Sequence, residues 1–114
     1  MNWNFDEALV DIDQALQLRP DHQNTLYNRG VVRSRVGHLF GAVEDFESAH
    51  RLNPRDTRPI YRAARIYALQ DQSDLALERL GQVIALESAF RMLARDQPDF
   101  ASLYDDPRFV QLVF

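Results

Sequence analysis

Apolar residues recur at helical spacing along nearly the whole chain, broken by short polar and proline-bearing stretches. Phe5, Ala8, Leu9, Ile12, Ala15, Leu16 and Leu18 make a stripe that predicts a helix over 5–19. The same spacing predicts helices over 24–36, 39–52, 58–70 and 73–87. Pro20 and Pro54 stop helices, because proline lacks the amide donor and drives the residue before it out of helical geometry. Gly37 suits a helix end that needs a left-handed residue. Asp6 and Glu7 in the first turn of the first helix, and Arg19 near its end, suit the helix dipole. Gly81 stands inside the fifth helix at a cost of up to ~1 kcal/mol, and close packing is the expected reason.

The helices repeat. Ala8, Ala42 and Ala76 lie 34 residues apart, and so do Ile12, Phe46 and Leu80. Ala15, Ala49 and Val83 keep the interval, as do Leu18, Leu52 and Leu86. Pro20 pairs with Pro54, Tyr27 with Tyr61, and Gly30 with Ala64. Self-similarity at a fixed period is the mark of a repeat architecture. The small residues let two helices approach, and Phe46 and its equivalents fill the space one turn later. Phe46 is expected to be buried, near Ala42 and Ala49.

The tail departs from this pattern. Phe90, Met92, Leu93 and Ala94 predict a short helix over 89–96, and 96–99 reads as a turn. Asp106-Pro107 is a cap and first position for a helix over 107–113. Phe100, Tyr104, Phe109 and Phe114 are too many aromatics for a free tail. Terminal repeats need capping, so this segment is expected to leave the period and seal the stack with Phe109 and Phe114.

The repeated positions resemble the tetratricopeptide repeat family, whose period is about 34 residues. Residues 23–56 match its pattern at Gly30, Gly37, Ala42, Phe46, Ala49 and Pro54. Residues 57–88 match at Tyr67 and Ala76, with Asp71 where glycine is usual and Ser88 where proline is usual. Residues 4–22 match only a second helix, at Phe5, Ala8, Ala15 and Pro20, and Trp3 replaces the usual glycine. The resemblance implies a single all-α domain over 1–114, an α-solenoid of half repeat 4–22, full repeats 23–56 and 57–88, and a C-terminal helical cap over 89–114. The Asp106–Phe109 run is similar to the segment closing many bacterial repeat proteins, which points to a natural C-terminus here. Family membership implies a protein-interaction role.

Composition narrows the function. The chain carries a net charge of −4 and an isoelectric point near 5.2, whereas general nucleic-acid binders are usually basic. All 13 cationic residues are arginine, a bias read first as compositional. Without cysteine there is no disulfide, thiolate zinc site or thiol catalysis. The chain start has no apolar core of signal-peptide length, and no run approaches the ~20 apolar residues of a membrane span, so a cytoplasmic protein is expected. His22, His38 and His50 have no helix-face partner for a metal, and the serines sit in no nucleophile motif. The carboxylates Asp11/Asp13, Glu44/Asp45/Glu47 and Asp105/Asp106 lack calcium-loop spacing and read as solvated faces and caps. No enzyme, cofactor or metal is expected.

Arg58, Arg62 and Arg65 occur at i, i+4 and i+7, which puts three guanidiniums on one helical face of an acidic chain. The resemblance implies that first helices line a concave groove. Asn24, Tyr27, Asn28, Val31 and Arg35 would face it from one repeat, and Arg58, Tyr61, Arg62, Arg65 and Leu69 from the next. Asn28, Arg58 and Arg62 look similar to part of the clamp with which some family members hold acidic C-termini. The other half of that clamp belongs to a first helix that this chain lacks. The expected partner is a protein or peptide bearing carboxylates; a plain solvated arginine face is the competing explanation. A second possibility is self-association as an assembly element. The helix over 5–19 lacks its covering helix, and a twofold pair through the 3–18 surface would bury its apolar face; a longer natural protein that supplies the missing helix is the competing explanation.

Overall fold

A computed structural model describes residues 4–114, so Trp3 lies outside the described residues. Seven α-helices and one 3-10 helix account for the regular structure among them. They are α1 Phe5–Leu18, α2 Gln23–Arg35, α3 Leu39–Leu52, α4 Thr57–Leu69, α5 Ser73–Leu86, α6 Phe90–Arg95, the 3-10 helix Pro98–Leu103, and α7 Pro107–Val113. The predicted boundaries hold to within a residue. The stretch expected as a turn at 96–99 instead leads into the 3-10 helix. Caps explain three of the helix starts. Asn4, Asp56 and Asp106 each accept a first-turn amide, from Glu7, Arg58 and Arg108.

The chain divides into two compact units, Met1–Pro54 and Arg55–Phe114. In the first, α2 and α3 form an antiparallel pair around Phe46, which is 1% exposed, with Ala42 and Ala49 also buried. Gly30 lies directly under the ring: a Cβ there would stand 2.7 Å from Phe46 Cε1. The turn between the two helices passes through Gly37 at φ +88°, in the left-handed region. α1 is attached more lightly. Leu16 is its one buried residue, in a small cluster with Leu26 and Ala49.

Asp45 overturns its expected role as a solvated-face residue. It is 2% exposed and takes a bidentate fork from Arg29, at 3.0 Å from Nε and 2.8 Å from Nη2. Arg33 adds a third bond at 3.1 Å, and Arg29 also reaches Asp13 on α1 at 2.9 Å. A carboxylate can be buried here because its oxygens are satisfied by two cations.

In the second unit α4 and α5 repeat the pair, with Ile60, Ala63, Ala64, Ala76, Leu80 and Val83 wholly buried. Asp71 takes the left-handed position of Gly37, at φ 59°, one of the few non-glycine types that tolerate it. Gly81 is not required by close packing, contrary to expectation, since a Cβ there would meet Leu112 at an ordinary 3.8 Å. The tail also corrects its prediction, because it stays in frame. α1, α3, α5 and α7 begin at Phe5, Leu39, Ser73 and Pro107, each 34 residues after the last. Three side-chain contacts join residues one period apart: Arg65 to Asp99, Ser102 to the Ala68 carbonyl, and Arg108 to Asp74. α7 is turned relative to its predecessors. Phe109 and Val113 are buried, while Val110 and Phe114, which stand where α5 has Ala76 and Leu80, are 41% and 72% exposed. Phe109 therefore seals this end and Phe114 does not; the Arg95 guanidinium lies 4.5 Å over the Phe114 ring.

Candidate functional site

The arginine face of α4 starts at its N-cap. Asp56 holds the helix start and also receives the Arg58 side chain, at 3.0 Å from Nε and 2.7 Å from Nη2. Arg62, one turn on, is half-buried. Arg65, two turns on, donates Nε to Asp99 at 2.9 Å, and its guanidinium lies 6.0 Å from the Tyr61 ring. Tyr61 is buried. Its ring packs 4.8 Å from Phe90 and 5.8 Å from Phe100 between centroids. Burial pushes its hydroxyl above the ordinary tyrosine pKa, with Gln97 and Arg65 pulling the other way. Leu69 closes the row half-exposed.

Of the residues expected on this face, Arg65 and Tyr61 thus meet the tail. Asp99, Phe90 and Phe100, which sequence reasoning did not connect with the site, are their partners. The signal was available: Asp99 follows Arg65 by one period.

On α2, within the first unit, Asn24, Asn28 and Arg35 are exposed and Val31 is half-buried. Tyr27 is also half-buried, its ring 5.6 Å from that of Phe46. On the next faces of the same helix, Arg29 and Arg33 point to Asp45. Hydrogen bonding to Asp45 raises the pKa of Arg29; burial opposes the shift and Asp13 reinforces it. This cluster ties α1, α2 and α3 together. It is a structural ion network with its cations already engaged. Among the described residues no helix is long and apolar enough to cross a membrane.

No family model matches the chain. Over 67 residues it is 34% identical to human tetratricopeptide repeat protein 6, a match covering 59% of this chain and 12% of that protein. Over 85 residues it is 27% identical to Superkiller protein 3 of Schizosaccharomyces pombe, covering 75% of this chain and 6% of that one. The chain thus spans only a small part of the length of these relatives. Its fold superposes on the crystal structure of MamA with a TM-score of 0.81 at 18% identity, over 95% of this chain and 64% of that one. The fold is of the tetratricopeptide type. A MamA RS-1 ArsTM double mutant gives a TM-score of 0.77 at 20% identity, over 95% and 65% of the two chains. At such identities the likeness establishes the fold: all-α, of the solenoid class, built from tetratricopeptide helix pairs.

Proposed function

We propose that the chain is a non-enzymatic interaction module that binds a peptide or partner protein on the exposed faces of its first helices. The residues assigned to contact the partner are Asn24, Tyr27, Asn28 and Arg35 on α2, and Arg58, Tyr61, Arg62 and Arg65 on α4. The observation that carries this reading is the row of three guanidiniums on α4 in a chain of net charge −4. Such a row reverses the local sign and favours a carboxylate-bearing ligand. The pairing of Arg65 with Asp99 supports it, since an acidic side chain already settles on this face at 2.9 Å. Arg58 is paired with Asp56 but half-exposed, so a ligand carboxylate can exchange with that partner at modest cost. Arg65 and Tyr61 then act chiefly as supports, and Arg58 and Arg62 are the contacts.

The test is titration with an acidic peptide ending in a free carboxylate. Affinity should fall as salt rises. Arg62→Ala should weaken binding by about 1.5–3 kcal/mol, the range for hydrogen bonds to charged groups. Equal affinity for the parent and an Arg58→Ala/Arg62→Ala double variant would overturn the proposal.

A further inference from the structure

Within the second unit, the stretch one period after α4 is not a single helix. α6 stops at Arg95, Gln97 is extended, and the chain resumes at Pro98 as the 3-10 helix. Proline drives the residue before it out of helical geometry, which accounts for the break. The 3-10 helix is then pinned against α4. Phe100 and Leu103 are buried, the Phe100 ring stands 5.8 Å from that of Tyr61, and Ser102 Oγ donates to the Ala68 carbonyl at 3.4 Å. Asp99, on this anchored segment, accepts Arg65 Nε at 2.9 Å.

The pair at the other end of the arginine row is of a different kind. Asp56 lies two residues from Arg58 at the same helix start, and the Arg58 side chain is 51% exposed against 31% for that of Arg65. An exposed local pair exchanges with a ligand at small cost. A tethered carboxylate already at contact distance competes at an effective concentration on the order of millimolar, far above that of a dilute partner. We propose that Asp99 is a selectivity residue of the α4 face: a built-in carboxylate that fills the Arg65 position and leaves ligands to be read at Arg58 and Arg62. This rests on the carboxylate-binding function proposed above. It also narrows the class of partner. A peptide with a single carboxylate uses all that the face offers. A run of acidic residues gains little from its extra charges, because Arg65 is occupied and Asp99 sets a like charge beside them.

The test compares two peptides of equal length by fluorescence anisotropy on the full chain. One ends in a free carboxylate preceded by neutral residues; the other carries three acidic residues before the same end. The parent should bind the two with affinities within about threefold of each other. Asp99→Ala, and Asp99→Asn, which keeps the side-chain shape, should each tighten the acidic-run peptide by about fivefold or more and barely move the other. Adding Arg65→Ala to either variant should erase that gain. Asp96→Ala, which removes the same charge from an exposed position three residues away, should produce none. A gain that survives Arg65→Ala, or that Asp96→Ala matches, is general relief of charge and overturns the proposal. So does an unchanged preference in both Asp99 variants while an Arg58→Ala/Arg62→Ala double variant still weakens binding. If neither peptide binds the parent or the Asp99 variants, the carboxylate-binding function itself falls, and this inference with it.

Discussion

Gly30 and Phe46 are best understood together. A Cβ on Gly30 would overlap the Phe46 ring at 2.7–3.0 Å, and both positions lie in a closed core. One period later the corresponding residues are Ala64 and Leu80: the first has gained a methyl group and the second has lost bulk. Gly30→Ala alone should therefore destabilise by about 1–3 kcal/mol, as overpacking does. Combined with Phe46→Leu it should cost clearly less than the sum of the two single changes, since contacting residues couple. Urea denaturation of the four proteins measures this, and strict additivity would contradict it. Gly81 behaves oppositely. It is helical, and its Cβ site has ordinary room beside Leu112. Gly81→Ala should raise stability by about 0.5–1 kcal/mol, and a lower melting temperature would refute that. The sequence placed Gly30 on the repeat pattern and marked Gly81 as costly inside a helix. It could not tell the one that must be glycine from the one that need not, because that depends on which side chain lies opposite.

At the level of the element, the ion network in the first unit shows where periodicity stops informing. Asp45 sits between Glu44 and Glu47, so a one-dimensional reading takes it for solvated surface. Its actual surroundings come from Arg29 and Arg33 on the antiparallel neighbour, and their four-residue spacing was the only hint. Asp45→Ala leaves two arginines beside a buried cavity and should cost about 3–5 kcal/mol, the range for breaking a buried pair. Asp13→Ala removes the half-exposed partner of Arg29 and should cost about 0–1 kcal/mol. Chemical denaturation showing equal losses would rule out this ranking. α7 was legible from Asp106-Pro107, a local signal. The 3-10 helix was not, because Pro98 reads equally as a turn, and its packing depends on Phe100 and Leu103 reaching the core.

Across the whole molecule, burial is graded. α1 contributes Leu16 alone, whereas α4 buries eight of its thirteen residues. Amide exchange should follow: α1 should open with small free energies, and α4 should be among the last segments to exchange. Equal protection of α1 and α4 by hydrogen-exchange mass spectrometry would exclude that gradient. The order and bounds of the helices were readable in the chain, since period and stop signals are local. Which aromatic of α7 is buried was not, because the burial of Phe109 and the exposure of Phe114 have no one-dimensional trace. The reciprocal sizes at Gly30/Phe46 and Ala64/Leu80 carry a consequence for descent. A helix copied singly from one repeat into the other would bring alanine against phenylalanine, or leave glycine facing leucine. The heritable module is therefore the matched pair of helices, and viable duplication or recombination should fall between pairs, with crossovers inside them selected against.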